Sequence, residues 1–143
     1  MRILVDADAC PVKNIIIRIA RQNNIPVFMF IDTSHVLNDG YSEIITVDKA
    51  KDSVDIAIAN KVRRGDIVVT QDYGVAVMVL GKGARAISPN GLVFTDNNID
   101  MLLFERHLGH MTRKAGGRTK GPSKRTKVDN AKFERAFETL IMN

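Results

Sequence analysis

The sequence predicts an α/β fold with three layers, in which helices cover both faces of a mainly parallel sheet of about five strands. Short apolar segments alternate along the chain with segments of helical periodicity, and this alternation is typical of right-handed βαβ units. The chain has 143 residues, of which 45% are hydrophobic, so it is long enough to enclose a core. We therefore expect a sheet whose strands share one carboxyl edge.

The first half of the sequence alternates strands with helices. Its three predicted strands are residues 2–6, 26–31 and 43–47. A helix from Pro11 to about Asn23 separates the first two strands, because isoleucines recur there at helical spacing and proline is tolerated in a first helical turn. A second helix begins at Asp52 or Ser53, either of which can act as its N-cap, and ends near Gly65.

The second half continues the alternation with shorter elements. Two further strands are predicted at residues 67–70 and 84–88, and helices at 73–80, 97–107 and 128–141. Gly81 ends the first of these helices, and a turn formed by Pro89, Asn90 and Gly91 follows the fifth strand. The connections between strands are therefore long enough to hold the helices that cover a parallel sheet.

Three short acidic segments stand where predicted strands end or helices begin. Asp6 and Asp8 follow the first strand, Asp72 follows the fourth, and Asp52 and Asp55 open the second helix. Ligands bind at the carboxyl edge of such sheets, where the strand order reverses, so we expect these carboxylates to converge there. Clustered carboxylates suit Mg²⁺ or Mn²⁺, and such sites hydrolyse phosphodiesters. We predict that all five residues bind metal.

Each acidic segment also has a structural interpretation. Asp8 can cap the helix that follows it, and Asp72 can cap the helix after the fourth strand. Asp52 and Asp55 are three residues apart near a helix N-terminus, where the macrodipole favours acids for stability alone. Asp6 has little structural use at the end of a buried strand, so it is the strongest functional candidate.

Other polar residues give weaker indications. Thr70 and Gln71 precede the last acidic segment and are candidates for orienting a water molecule or a phosphate, although Thr70 can equally be the last strand residue. His35, His107 and His110 lack the further Cys or His that would complete a zinc site. We interpret the three histidines as surface residues or phosphate contacts.

The cysteine content and the hydropathy pattern bear on the location of the protein. Cys10 is the only cysteine, so the chain forms no internal disulfide, and we interpret this residue as part of the core. No apolar run approaches the roughly 20 residues that span a bilayer, and the N-terminus lacks a long apolar signal region. We expect a cytoplasmic protein with no membrane partner.

The net charge of +5 is concentrated in one segment. Residues 1–112 carry 12 basic and 13 acidic side chains and are predicted to form the α/β domain. Residues 113–127 carry seven basic side chains and no acid, and residues 128–143 form a last helix that packs on the same domain. We predict that the seven basic residues bind nucleic acid: Arg113, Lys114, Arg118, Lys120, Lys124, Arg125 and Lys127.

The basic segment can also be a solvated loop, since its glycines and its proline oppose regular structure. Seven cations in 15 residues exceed what solubility requires, and glycine lets backbone N–H groups approach phosphates. No aromatic residue interleaves with the cations, so binding is expected to depend on phosphates and to be largely independent of base sequence.

Three spaced motifs resemble one known family. VDADACPVK near the start, GDIVVTQDYGVA in the middle and GGRTKGP in the basic segment are similar to the YaiI/YqxD family of bacterial proteins, which are related to PIN-like nuclease domains. The resemblance covers nearly the whole chain. It implies a parallel α/β sheet with an acidic metal site at its carboxyl edge, and PIN-like proteins often form homodimers.

The resemblance also implies roles for individual acids. The PIN-like pattern has an Asp that ends strand one, an acid in a central helix and Asp residues after a later strand. Asp6 matches the first, Asp55 or Asp52 the second, and Asp72 the third, so Asp6, Asp55 and Asp72 are the expected catalytic residues. Many PIN nucleases carry a second acid shortly after the third position, where this chain has none. Asp8 is our candidate for the missing carboxylate.

The sequence leaves three functions open. The first is a Mg²⁺- or Mn²⁺-dependent nuclease that acts on RNA more readily than on DNA. The second is a nucleic-acid-binding protein without catalysis, in which any metal is structural. The third is a small phosphatase of the haloacid-dehalogenase type, since Asp6 and Asp8 resemble its nucleophile and acid pair, but Lys61 is poorly placed as the lysine of that type.

Overall fold

The computed structural model of the chain describes residues 1–34, 36–48, 53–117 and 124–143. Its strands are β1 (Ile3–Asp6), β2 (Val27–Asp32), β3 (Glu43–Val47), β4 (Ile67–Val69), β5 (Arg85–Ile87) and β6 (Val93–Phe94). Its helices are α1 (Lys13–Gln22), α2 (Val54–Lys61), α3 (Tyr73–Gly81), α4 (Ile99–Lys114) and α5 (Lys127–Met142). Four residues with predicted roles lie outside the described ranges: His35, Asp52, Arg118 and Lys120.

The described strands form one sheet in the order β3-β2-β1-β4-β5-β6. All neighbouring pairs are parallel except β5 and β6, which are antiparallel. The strand order reverses at β1, which pairs with β2 on one side and with β4 on the other. The carboxyl ends of β1 and β4 are therefore neighbours at the point where open α/β sheets bind ligands.

Two hydrophobic cores cover the two faces of the sheet. Side chains alternate along β1, so that Ile3 and Val5 enter one core and Leu4 enters the other. The first core also contains apolar residues of α1 and α5, and the second contains those of α2, α3 and α4. The predicted three-layer α/β fold is confirmed.

The last helix packs in the first core through two phenylalanines. Phe133 and Phe137 are one helical turn apart and fully buried, and their rings stack with centroids 5.1 Å apart. The turn after β5 passes close beneath this helix at Gly91, which has a φ of +87°. A Cβ atom on Gly91 would lie 2.8 Å from the backbone carbonyl group of Lys132, so only glycine fits this approach.

A buried ion pair joins β1 and β4 at the amino edge of the sheet. Arg2 and Asp66 immediately precede these two strands, and their side chains are only 16% and 3% exposed. Arg2 Nη2 lies 2.7 Å from Asp66 Oδ2, which also accepts a hydrogen bond from the backbone N–H of Arg63. Arg2 Nη2 also donates to the carbonyl of Lys61 at 2.8 Å. These contacts explain why α2 ends at Lys61, before the predicted end near Gly65.

Two further elements differ from the prediction. The helix expected at residues 97–107 continues through Gly109 to Lys114, so the first two basic residues of the 113–127 segment lie in its last turn. The two-residue strand β6 was not predicted, because a strand of that length carries no detectable period. In the described part of the chain, every helix is too short or too polar to cross a lipid bilayer.

Replacing Gly91 by alanine tests the packing of α5. We expect Gly91→Ala to lower the free energy of unfolding by about 2 kcal/mol more than Gly40→Ala, since overpacking typically costs about 1–3 kcal/mol. Gly40 is the matched control because its φ is also positive, at +73°, but a Cβ atom there meets nothing within 4 Å. Urea unfolding of both variants measures the difference, and equal losses would show that α5 does not press on this turn.

Candidate active site at the carboxyl edge of the sheet

Asp6 and the segment after β4 are connected by hydrogen bonds. Asp6 is the last residue of β1, and the Thr70 hydroxyl donates to its Oδ2 at 3.2 Å. The backbone N–H of Asp72 donates to the same Thr70 oxygen at 3.0 Å. Thr70 is buried, so its hydroxyl holds the Asp6 carboxylate in one orientation and couples it to the loop that carries Asp72. Thr70 thus orients a carboxylate, and its predicted role with water or phosphate stays a prediction.

The environment of Asp6 opposes its negative charge. Burial of the carboxyl group is the main reason that the pKa of Asp6 is raised above its ordinary value of 3.8, and the Thr70 hydrogen bond offsets part of this rise. The carboxylates of Asp72, Asp8 and Asp55 raise the pKa further, in that order. The fold thus brings four of the five predicted acids into one electrostatic field.

Asp72 caps the helix that follows it, which is one of the two roles that the sequence left open. It is the N-cap of α3, where its Oδ1 accepts hydrogen bonds from the backbone N–H groups of Gly74 at 2.8 Å and Val75 at 3.4 Å. Its side chain is exposed and lines the cleft in front of Asp6. Capping therefore fixes the position of a carboxylate that also contributes charge to the site.

Asp8 lies in a tight turn after β1 and does not cap the following helix. The N-cap position of α1 is occupied by Val12, whereas Asp8 Oδ2 accepts a hydrogen bond from the backbone N–H of Asp32 at 3.0 Å. Ala9 has a φ of +61°, which is uncommon for a residue other than glycine and stores local strain. The Lys13 ammonium donates to the carbonyl of Ala7 at 3.2 Å and closes this turn. The turn directs Asp8 toward the end of β2.

An open cleft of about 310 Å³ collects these groups. It is lined by Asp6, Asp8, Gln71, Asp72 and Arg106. Arg106 extends from α4, and its guanidinium carbon lies 5.4 Å from the centroid of the Tyr73 ring. Arg106 was not predicted as a site residue, because a lone arginine in a helix gives no sign of which site it will face. Its cation lies beside the carboxylates and faces the same open space.

The donor chemistry of the cleft fits a divalent cation. Carboxylates whose mutual repulsion raises the pKa of one member are stabilised by a bound cation, and oxygen donors suit Mg²⁺ and Mn²⁺. Asp55 lies in the first turn of α2 and has the weakest effect on Asp6 of the three neighbouring acids. Within residues 1–34, 36–48, 53–117 and 124–143, no group of three or more His, Cys, Asp or Glu side chains is placed to hold a metal ion.

The described basic residues of the 113–127 segment differ in exposure and in hydrogen bonding. Arg113 and Lys114 are exposed in the last turn of α4, and Lys124 and Lys127 are exposed near the start of α5. Arg125 is instead held by the fold: its guanidinium donates to the side chains of Asn130 and Asn90 and to the carbonyl of Pro89. The bonds to Asn90 and Pro89 fasten the end of the basic segment to the turn after β5, and the bond to Asn130 fastens it to α5.

The position of Lys61 counts against the phosphatase alternative. Its ammonium lies 4.4 Å from the centroid of the Phe28 ring, beside Arg2 at the amino edge of the sheet. Asp6 and Asp8 lie at the opposite edge, so Lys61 does not supply the lysine that such a site requires.

Comparisons with known proteins place the chain among bacterial sequences. Residues 4–143 match the sequence model of a family described as "Uncharacterized BCR, YaiI/YqxD family". The UPF0178 protein of Ruminiclostridium cellulolyticum is 65% identical over 141 residues, which are 99% of this chain and 92% of that protein. The UPF0178 protein of Clostridium kluyveri is 54% identical over 143 residues, which are 100% of this chain and 94% of that protein.

A crystal structure of a mutant of Rae1 (YacP) from Bacillus subtilis superimposes with a TM-score of 0.48 and a sequence identity of 19%. The match covers 81% of this chain and 84% of that chain.

The raised pKa of Asp6 predicts a pH-dependent effect of Asp6→Asn. Because the folded chain holds a proton on Asp6 to a higher pH than the unfolded chain, stability falls as pH rises from 3.8 through the folded pKa. Asp6→Asn removes this penalty, so we expect the variant to be more stable than wild type at neutral pH. The difference is expected to vanish in acid below the ordinary pKa.

Urea unfolding at a series of pH values from about 3 to about 8 measures this effect across the window in which the carboxyl group titrates. Asp96→Asn is the control for loss of one negative charge, because Asp96 is exposed and follows β6, which runs away from the carboxyl edge. An Asp6→Asn variant that is equally destabilised at every pH would show that the carboxylate is not under electrostatic strain.

Proposed function

The chain belongs to the YaiI/YqxD family, and we propose that it is a Mg²⁺- or Mn²⁺-dependent nuclease that acts on RNA. The observation that supports this proposal most directly is the position of Asp6. This carboxylate lies where the strand order reverses, is held by Thr70 and is surrounded by three further acids. Such a site gains stability from a cation and opens to a cleft that a phosphodiester can enter.

Four acidic residues would contribute to metal binding. Asp6, Asp8 and Asp72 line the cleft and would hold the cation, while Asp55 contributes negative charge from α2. The chemistry that a divalent cation supplies in such a site is a water molecule of lowered pKa and stabilisation of the charge that develops on the phosphate. Thr70 and the α3 N-terminus hold two of these carboxylates in place. The three acids are not placed to hold one ion together in the described structure, so binding would require at least one of their side chains to move.

One cationic and one uncharged side chain of the cleft, Arg106 and Gln71, would contact the substrate. Arg106 can donate two parallel hydrogen bonds to phosphate oxygens, and its position over Tyr73 limits the motion of its guanidinium. Gln71 is exposed beside Asp72 and can donate from its amide to a phosphate oxygen or to a water molecule. Arg106 would thus offset the repulsion between the acidic cleft and the polyanionic strand.

Basic residues outside the cleft would bind the phosphates of the RNA. Arg113 and Lys114 extend the exposed charge along the same helix that carries Arg106. Lys124 and Lys127 are exposed at the other end of the basic segment. Contacts from these side chains go to phosphates, so they contribute affinity and little base specificity.

The first test combines metal binding with cleavage. Mn²⁺ binding is measured by calorimetry, and cleavage is measured on labelled single-stranded RNA, for wild type and for Asp6→Asn combined with Asp72→Asn. Asparagine also caps helices, so the double variant keeps α3 in place. We expect metal binding to be lost and cleavage to fall at least about 100-fold, the scale seen when one charge-stabilising group is removed from an active site.

Asp96→Asn is the matched control for this experiment and should bind and cleave as wild type does. Metal binding without cleavage would support a nucleic-acid-binding protein that lacks catalysis. A wild-type chain that binds no Mn²⁺ would overturn the proposed mechanism.

Arg106 is tested separately from the acids. We expect Arg106→Gln to reduce RNA cleavage about 100-fold, because the phosphate loses a bidentate cationic contact. Mn²⁺ affinity should be unchanged or higher, since a positive charge leaves the cleft. Arg63→Gln removes an exposed arginine at the opposite edge and serves as control. Normal cleavage by Arg106→Gln would exclude Arg106 from the reaction.

A further inference from the structure

α4 has apolar side chains on two opposite faces. Its inner face packs on the second core through Ile99 and Leu102, and Arg106 on the same face reaches over Tyr73. Its outer face presents four large apolar side chains, which we call the α4 stripe: Met101, Phe104, Leu108 and Met111. They are 66%, 61%, 47% and 53% exposed, respectively.

The spacing of the α4 stripe is that of a helix–helix seam. Its members follow one another at intervals of three, four and three residues, which is the alternation of the a and d positions of a heptad. At about 100° per residue, this spacing keeps all four side chains on one side of the helix. A run of this kind is unusual on a surface that faces only water.

Among the described residues, few pack against the second half of α4. Every residue from 103 to 114 is exposed except Gly109. Isolated helices of about 12–15 residues are marginal in water, and helices in proteins gain most of their stability from packing of an apolar face. The α4 stripe therefore needs a partner to stabilise the projecting half of the helix.

The charges beside the α4 stripe indicate which partner fits. Asp100 and Lys114 flank the stripe at its two ends, and both occupy the g position of the heptad. In an antiparallel pair of identical helices, g positions face each other, so each Asp100 meets Lys114 of the second copy. In a parallel pair, Asp100 would instead face Glu105, and two acids would repel each other.

We propose that the α4 stripe binds the α4 stripe of a second copy of this chain in an antiparallel helix pair with two-fold symmetry. Met101 then packs against Met111 of the second copy, and Phe104 packs against Leu108 of the second copy. Two Asp100–Lys114 pairs close the ends of the interface. Near the two-fold axis, Glu105 faces Glu105 of the second copy. The repulsion between these two like charges weakens the dimer and provides a further test.

Sedimentation equilibrium of the full chain tests the proposal. We expect wild type to dimerise and Phe104→Glu combined with Leu108→Glu to be monomeric, because the substitution places four buried charges in the seam. Both side chains are largely exposed in the single chain, so circular dichroism should show that the variant remains folded. A wild-type chain that stays monomeric up to about 1 mM, or a stripe variant that still dimerises, would overturn the proposal.

Charge exchange tests the antiparallel arrangement. Asp100→Lys and Lys114→Asp should each weaken the homodimer about tenfold, since each places like charges opposite each other at both ends. A mixture of these two variants should form a heterodimer more tightly than either homodimer, because both end pairs are then oppositely charged. Glu105→Gln should tighten the wild-type dimer. Failure of the mixture to pair preferentially would overturn the antiparallel assignment.

Discussion

The parallel pairing of β1 with β4 is the contact on which the rest of the molecule depends. At the amino edge the two strands are joined by the buried pair of Arg2 and Asp66. At the carboxyl edge they are joined by the hydrogen bond from Thr70 to Asp6. Because the strand order reverses at β1, this pairing also creates the cleft, and the same contact supports both stability and the proposed chemistry.

The amino edge and the carboxyl edge of the sheet each contain a buried carboxylate, and the two carboxylates have opposite electrostatic environments. Asp66 is neutralised by a guanidinium and accepts a backbone hydrogen bond, as a structural acid does. Asp6 has one hydroxyl donor and three neighbouring acids, and its pKa is raised. A proton or a cation would relieve the electrostatic repulsion at the carboxyl edge, and this contrast is why we propose a functional role for Asp6 and not for Asp66.

α4 connects the two proposals. Its inner face brings Arg106 to the acidic cleft, and its outer face carries the α4 stripe. A partner that packs on the outer face would stabilise the helix along its length and thereby limit the motion of Arg106. Dimerisation and substrate binding would then share one structural element.

The alternation of strands and helices, and the positions of Asp6 and Asp72 at strand ends, could be predicted from the sequence. These features depend on local periodicity and on the shared direction of parallel strands. Three features became visible only in the folded chain: Asp8 bonds to Asp32, Arg106 faces the acids, and α4 continues past Gly109. Such contacts join residues far apart in the chain, and they depend on how helices pack on the sheet, which no local pattern encodes.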